Sequence, residues 1–114
     1  MSDSDTVILI TRNGMGEADQ VLQYKLIDTY FKLLDDHNIL PAAICFYTEG
    51  VHLVVEGSPV LETLHSLEKK GVRLILCSTC LNYFELIDQV RVGIVGGMGD
   101  ILEAQRLATK VITL

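Results

Sequence analysis

The hydrophobic residues of this chain fall into two kinds of segment that alternate along it. Short apolar runs rich in β-branched residues, without polar alternation, are typical of strands that are buried on both faces. Longer stretches, in which apolar residues recur every three or four positions, are typical of amphipathic helices. The strands predicted in this way are Val7–Ile10, Pro41–Tyr47, Val72–Cys77, Val90–Val95 and Val111–Thr113.

Helices are predicted in each interval between these strands. Capping residues help to place their ends, because Ser or Thr favours a helix start and Gly a helix stop. For Val51–Val55 the residue propensity favours a strand, but its position between a strand and a capped helix favours a helical turn. The predicted helices are Glu17–Asp36, a helix from Ser58-Pro59 to Lys70, a helix from Ser78-Thr79 to Ile87, and a helix from Asp100 to about Thr109.

This order of elements predicts the fold class. Strands that alternate with helices through short connections form a parallel sheet with right-handed crossovers. We therefore expect an α/β protein, a three-layer α/β/α sandwich with a five-stranded parallel sheet. The 114 residues, 12.6 kDa, favour one domain over residues 1–114.

Charge and hydropathy narrow the classes of partner. Nine basic and fifteen acidic residues give a net charge of −6, which argues against a nucleic-acid-binding surface and against anionic membranes. The mean hydropathy of +0.36 is high, yet no apolar run reaches the roughly 20 residues of a membrane span. We therefore expect a homo-oligomer with apolar subunit interfaces.

The acidic segment Met1–Thr6 lacks the basic flank of a signal peptide, so we expect a cytoplasmic protein.

The most specific motif is Cys77-Ser78-Thr79-Cys80. It follows a predicted strand, and ligands of parallel α/β sheets gather at the carboxyl ends of strands. Free N–H groups at the start of the next helix favour a thiolate, which is the reactive form of cysteine. They would also stabilise a persulfide or perselenide anion. The alternative is that Cys77 is a buried strand residue and Cys80 a small helix residue in the core.

Two glycine-rich loops accompany this motif at the same edge of the predicted sheet. Gly14-Met15-Gly16 follows the first strand, and Gly96-Gly97-Met98-Gly99 follows the fourth. Either loop could shape an anion or adduct pocket, but the alternative is a tight turn with close backbone packing. No metal is expected, because one Cys-x-x-Cys motif supplies only two of the four ligands of a zinc site.

The motif and its surroundings resemble the DsrE-like family, and within it the YedF-like branch associated with selenium metabolism. The resemblance covers nearly the whole chain and is carried by Glu56–Ser58, Lys70–Val72, Cys77–Tyr83, Val92-Gly93, Met98–Ile101 and Lys110–Leu114. It implies a five-stranded α/β/α domain that assembles into trimers or hexamers.

The resemblance also implies a role in sulfur relay, in which a cysteine accepts sulfur as a persulfide and passes it to a protein partner. Cys77 matches the carrier cysteine of the family, and Cys80 matches a second cysteine found in some branches. Thr79 and Ser78 would stabilise the anion, and Gly14, Gly16, Gly97 and Met98 would shape the mouth of the site. No cofactor is implied. YedF-like proteins usually carry a TusA-like domain ahead of the DsrE-like domain, so the resemblance implies either that a separate TusA-like protein is the partner or that the relay step is absent.

Two other functions fit the same residues. The chain could be a non-catalytic assembly or binding subunit of a sulfur-relay complex, in which the thiols have no chemical role. It could also be a thiol-disulfide reductase, although the aromatic and Pro neighbours usual for that motif are missing. Both alternatives remain open at the level of the sequence.

Overall fold

The computed structural model describes residues 3–114 as a five-stranded sheet with helices on both faces. Residues 1 and 2 of the acidic N-terminal segment lie outside the described residues. The strands are β1 (Thr6–Ile10), β2 (Ala43–Phe46), β3 (Arg73–Cys77), β4 (Ile94–Gly96) and β5 (Lys110–Thr113). The helices are α1 (Gln20–Asp36), α2 (Leu61–Lys69), α3 (Ser78–Tyr83) and α4 (Met98–Leu107), with 3-10 turns at Asp3–Asp5, Thr48–Val54 and Ile87–Gln89.

All four strand pairs are parallel, and the order across the sheet is β4-β3-β2-β1-β5. The predicted five-stranded parallel α/β fold is confirmed. Parallel strands bring their carboxyl ends to one edge, so the segments after β4, β3, β2 and β1 lie there in that order. The register places Cys77 beside Gly96, so the motif after β3 and the glycine loop after β4 are neighbours.

The strand side chains point alternately to two cores. One face packs against α1, α2, α3 and the 3-10 turn after β2, and its central side chains include Phe31, Phe46 and Leu64. The other face is covered by α4 through Ile101 and Ala104. Cys45 and Cys77 both belong to this second core, and Cys45 is fully buried, as expected for a core residue.

The structure corrects three predicted boundaries. The helix predicted to begin at Ser58-Pro59 begins at Leu61, because Ser58 closes a turn instead: its Oγ accepts a hydrogen bond from the N–H of Val60. The third helix ends at Tyr83, well before the predicted Ile87. Asp100 does not precede the fourth helix but lies inside it, where its carboxylate accepts a hydrogen bond from the N–H of Gly97 at 2.9 Å.

The fourth strand is also shorter than the apolar run that predicted it. Val90 makes only an isolated antiparallel bridge to Val55, and the strand begins at Ile94. Gly93 separates the two parts with a φ of 89°, a backbone conformation that breaks a strand. A Cβ at Gly93 would also lie 2.9 Å from the side chain of Leu76, so glycine is needed for this close approach.

In the segment Val51–Val55, the first four residues have the helical conformation that the position favoured, as part of the 3-10 turn Thr48–Val54, whereas Val55 is extended. None of the helices in residues 3–114 has the length and apolar character needed to cross a bilayer. The apolar stripe predicted on α1 divides into two sides. Ile27, Phe31 and Leu34 are buried, whereas an adjoining side of the helix exposes Leu22, Leu26 and Leu33.

Candidate functional site

The two cysteines of the Cys-x-x-Cys motif lie in contact where β3 passes into α3. Their Sγ atoms are 3.1 Å apart, with Cys80 as the donor. Cys77 ends the strand and is the residue that precedes the helix, so one helical turn returns Cys80 to its side. Ser78 and Thr79 are thus the first two residues of the helix rather than its caps.

The two sulfur atoms differ in access to solvent. Cys77 is only 2% exposed and belongs to the core beneath α4. Cys80 is half-buried between the two cores. A molecule that approaches from outside therefore meets the sulfur of Cys80 first.

A third group completes this arrangement, and no motif or spacing in the sequence indicates it. The backbone N–H of Thr48, which follows β2, donates a hydrogen bond to the Sγ of Cys80 at 3.0 Å. An N–H donor at this distance stabilises negative charge on the sulfur. The two residues are 32 positions apart, and the parallel packing of β2 beside β3 brings them together.

Thr48 holds this position in an uncommon backbone conformation. Its φ is 48°, in the left-handed region that β-branched residues rarely adopt. Its hydroxyl donates to the carbonyl oxygen of Thr11 at 2.6 Å and lies 2.7 Å from the carbonyl of Tyr47. Conformations of this kind cost about 1–3 kcal/mol and persist where the surroundings fix them, often at functional sites.

Gly50 explains how the turn after β2 comes so close to β1. A Cβ at this position would lie 2.1 Å from the carbonyl oxygen of Ile10, so only glycine fits there. Its N–H bonds the carbonyl of Tyr47 at 3.0 Å and closes the turn around Thr48. Gly50 is therefore part of what positions Thr48.

Burial and the neighbouring sulfur together raise the pKa of the Cys80 thiol. Loss of hydration is the largest cause, and the hydrogen bond and charge of Cys77 act in the same direction. The N–H of Thr48 opposes them and lowers the pKa. On balance the pKa of Cys80 is raised, and the Thr48 amide limits this rise because it favours the thiolate form.

The glycine loops occupy different places at the same edge. Gly97 and Met98 come directly after Gly96, which pairs with Cys77, and they lie at the start of α4. The side chain of Met98 is 56% exposed. Gly14 and Gly16 lie after β1, and β2 separates their strand from β3.

The loop that contains Gly14 and Gly16 is bonded to α1. The N–H of Met15 donates to the carbonyl of Gln23, and the side-chain amide of Gln23 donates to the carbonyl of Gly16. A Cβ at Gly14 would lie 2.4 Å from the Cβ of Gln23, so glycine permits this contact. Within residues 3–114, no group of three or more His, Cys, Asp or Glu side chains is placed to hold a metal ion.

The model of the DsrE/DsrF-like family matches residues 5–114. The chain belongs to this family. No curated protein gives a significant match to it.

Solved structures share the fold of this DsrE/DsrF-like protein. A protein of unknown function from Methanobacterium thermoautotrophicum has a TM-score of 0.69 at 20% identity, over 96% of this chain and 97% of that one. The ychN protein from E. coli has a TM-score of 0.69 at 14% identity, over 100% of both chains. A conserved protein of unknown function from Bacteroides thetaiotaomicron has a TM-score of 0.65 at 15% identity, over 100% of this chain and 98% of that one. At these identities the likeness concerns the fold alone.

Proposed function

We propose that this DsrE/DsrF-like protein is a sulfur carrier of the YedF-like branch, which holds a persulfide on its Cys77–Cys80 pair and passes it to a protein partner. The observation that carries the proposal is the position of the Cys80 sulfur. It is half-buried, 3.1 Å from a second thiol and 3.0 Å from a backbone N–H donor. Selenium would follow the same chemistry as a perselenide.

Cys80 is the sulfur that takes up the cargo in this proposal. The Cys80 thiolate attacks the outer sulfur of a donor persulfide, the donor S–S bond breaks, and the donor leaves as a thiolate. The products are a Cys80 persulfide and the free donor thiol, so no external oxidant or reductant is needed. An acceptor thiolate then attacks the outer sulfur of the carrier in the same way.

The sequence predicts Cys77 as the carrier, and that assignment stays a prediction. We propose the reverse, with Cys80 as the carrier and Cys77 as the second thiol. Solvent exposure favours Cys80 as the point of entry, because Cys77 is 2% exposed. Cys77 contributes a neighbouring sulfur, 3.1 Å away, that can attack the inner sulfur of the Cys80 persulfide. That attack forms a Cys77–Cys80 disulfide and releases hydrosulfide, which is an unloading route without an acceptor protein.

The net charge of −6 supports an acceptor with a basic docking surface. A TusA-like carrier remains the partner that we propose. The exposed leucines on α1 support assembly with further copies of the chain.

Intact-mass analysis after incubation with inorganic polysulfide tests the carrier function. We expect the native protein and Cys45→Ser to gain one sulfur atom that a reducing agent removes. The double variant Cys77→Ser/Cys80→Ser should gain none. Equal gain by the double variant, or neither a gain of sulfur nor a Cys77–Cys80 disulfide in the native protein, would support the non-catalytic subunit instead. Catalytic reduction of insulin disulfides without sulfur uptake would support the reductase.

A further inference from the structure

Tyr83 is 81% exposed, more than any other large hydrophobic residue among residues 3–114. It is the last residue of α3, and Cys80 lies three positions before it on the same helix. Side chains three positions apart are neighbours on the surface of a helix. The most exposed aromatic ring of the described chain therefore adjoins the sulfur that we propose as the carrier.

Two further rings support Tyr83 from inside the protein. Its ring meets that of Phe84 edge-on, with 5.2 Å between the ring centroids and 84° between the planes. Phe84 is half-buried, and its ring lies 4.9 Å from that of His52, in the 3-10 turn that begins at Thr48. Because these contacts restrict the Tyr83 ring, less freedom is lost when a partner covers it.

Sulfur transfer requires a partner to cover this part of the surface. The thiolate of the acceptor takes the outer sulfur of the Cys80 persulfide, the S–S bond breaks, and Cys80 is left as a thiolate. Since Cys80 is half-buried, the acceptor must come into contact with the surface around it, and Tyr83 is part of that surface. Tyrosine is one of the residues that contribute most to the binding energy of protein interfaces.

The unpaired charges around this surface are acidic. Glu49 lies in the 3-10 turn after β2, Glu85 and Asp88 follow α3, and all three are exposed. None of these carboxylates pairs with a cationic side chain of residues 3–114. Arg91, the next basic residue along the chain, is already paired with Glu56 at 2.7 Å. Such a surface attracts a basic partner and disfavours a second copy of this chain, whose net charge is −6.

We propose that Tyr83 is the anchor of a docking surface for the protein that accepts sulfur from Cys80, and that this partner presents an apolar pocket bordered by basic side chains. The proposal rests on the sulfur-carrier function proposed above. The pocket would take up the Tyr83 ring, and the basic groups would face Glu85 and Asp88. The acceptor cysteine would then lie one helical turn away, over Cys80.

Binding is tested with a purified TusA-like protein as the probe, by calorimetry. We expect Tyr83→Ala to weaken binding at least tenfold, whereas Tyr83→Phe, which keeps the ring, should bind within about threefold of the native protein. Leu107→Ala is the matched control, because it removes an apolar side chain of similar exposure, 70%, from the far end of α4. It should bind as the native protein does.

The acidic residues are tested by charge reversal. The double variant Glu85→Lys/Asp88→Lys should bind the probe at least tenfold more weakly at low ionic strength, and the difference should shrink as salt is added. Glu62→Lys, an exposed reversal on α2, should have little effect. A double variant that binds like Glu62→Lys would overturn the basic character of the partner.

Transfer is tested by the ratio of the rates at which persulfide-loaded protein passes sulfur to the probe and to free cysteine. Tyr83→Ala should lower this ratio at least tenfold, and Leu107→Ala should not change it. An unchanged ratio in Tyr83→Ala, or no binding of the probe by the native protein, would overturn the docking surface while polysulfide loading continued to support the carrier. The surface would also be overturned if Tyr83→Ala altered only the oligomeric state, because a second copy would then occupy it. Failure of polysulfide to load the native protein would overturn the carrier function itself, and the binding of the probe to unloaded Tyr83→Ala would then decide the docking surface alone.

Discussion

The backbone N–H of Thr48 and the sulfur of Cys80 are 3.0 Å apart, although Thr48 begins the 3-10 turn after β2 and Cys80 lies in the first turn of α3, after β3. The hydroxyl of Thr48 holds this N–H in place by donating to Thr11 on a third connection, at 2.6 Å. The thiol is therefore positioned by the meeting of three strand ends and not by its own helix alone.

Substitution of Thr48 should reveal which property of this residue matters. Thr48→Val keeps the shape but loses the hydroxyl that fixes the left-handed backbone, so the N–H should turn away from Cys80. Thr48→Gly adopts the same φ without strain and should keep the N–H in place. Thr48→Val should lose a hydrogen bond to a charged sulfur, which contributes about 1.5 kcal/mol. Alkylation of Cys80 at neutral pH should therefore be about tenfold slower in Thr48→Val. In Thr48→Gly the bond is kept, so the rate should stay within about twofold of the native rate.

Mass mapping of iodoacetamide-treated protein measures these rates at Cys80 separately from the other thiols. Thr48→Asn is a second comparison, because Asn tolerates the left-handed region and should resemble glycine. If the isosteric Thr48→Val were the mildest of the three, the residue would act through packing and the proposed role of its N–H would be wrong.

Removal of the Cys77 sulfur should change the pH dependence of Cys80. The hydrogen bond and charge of Cys77 raise the pKa of Cys80, so Cys77→Ala should move the alkylation profile of Cys80 to lower pH. The profile should remain above that of a free thiol, because burial is the largest cause of the shift. Cys45→Ala is the matched control and should leave the profile in place. A move of the profile to higher pH in Cys77→Ala would contradict the statement that Cys77 raises the pKa of Cys80.

The buried thiol of Cys45 should make the fold sensitive to alkali. Burial raises the pKa of Cys45 to about 11, against the opposing charge of Arg73. Because the folded state holds the proton more tightly, the stabilisation is complete below the pKa of the unfolded thiol, about 8.5. It is lost as pH rises towards about 11, by up to roughly 3 kcal/mol.

Urea unfolding of native protein and Cys45→Ala between about pH 8 and 11 measures this effect. Cys45→Ala should be less stable overall because of the cavity it leaves. The difference in unfolding free energy between the two proteins should shrink as pH rises. A difference that stays constant across this range would show that Cys45 does not bind its proton more tightly in the folded state.

The apolar outer side of α1 should lie against another copy of the chain. Leu22, Leu26 and Leu33 share one side of the helix, which adjoins the buried side, and are 48%, 43% and 50% exposed. We expect light scattering at micromolar concentration to show an oligomer, and Leu26→Glu to shift it towards monomer. Lys25→Glu, a neighbouring charge change, is the control. A native particle of 12.6 kDa would contradict this prediction.

The fold was predictable because its decisive features are local. The apolar runs and capping residues place all five strands and four helices, and alternation alone predicts a parallel sheet. The errors have local physical causes as well. The predicted strand Val90–Val95 is interrupted at Gly93, which has a positive φ and lies in close contact with Leu76. The hydroxyl of Ser58 closes a turn instead of capping a helix.

The site was predictable only in part, because its contacts are not local. The contact of Cys77 with Cys80 follows from their spacing on one helical turn. Thr48 could not be found in this way, since its N–H reaches Cys80 across 32 residues and its backbone conformation is unusual for its residue type.

The assignment of Cys80 as the carrier is tested most directly by mapping the persulfide after loading with inorganic polysulfide. Loaded protein is alkylated and digested, and the labelled cysteine is identified in native protein, Cys77→Ser and Cys80→Ser. We expect a persulfide on Cys80 in the native protein and in Cys77→Ser, and no loading of Cys80→Ser. Loading that is retained in Cys80→Ser and lost in Cys77→Ser would contradict it, and would show that the buried sulfur is the carrier.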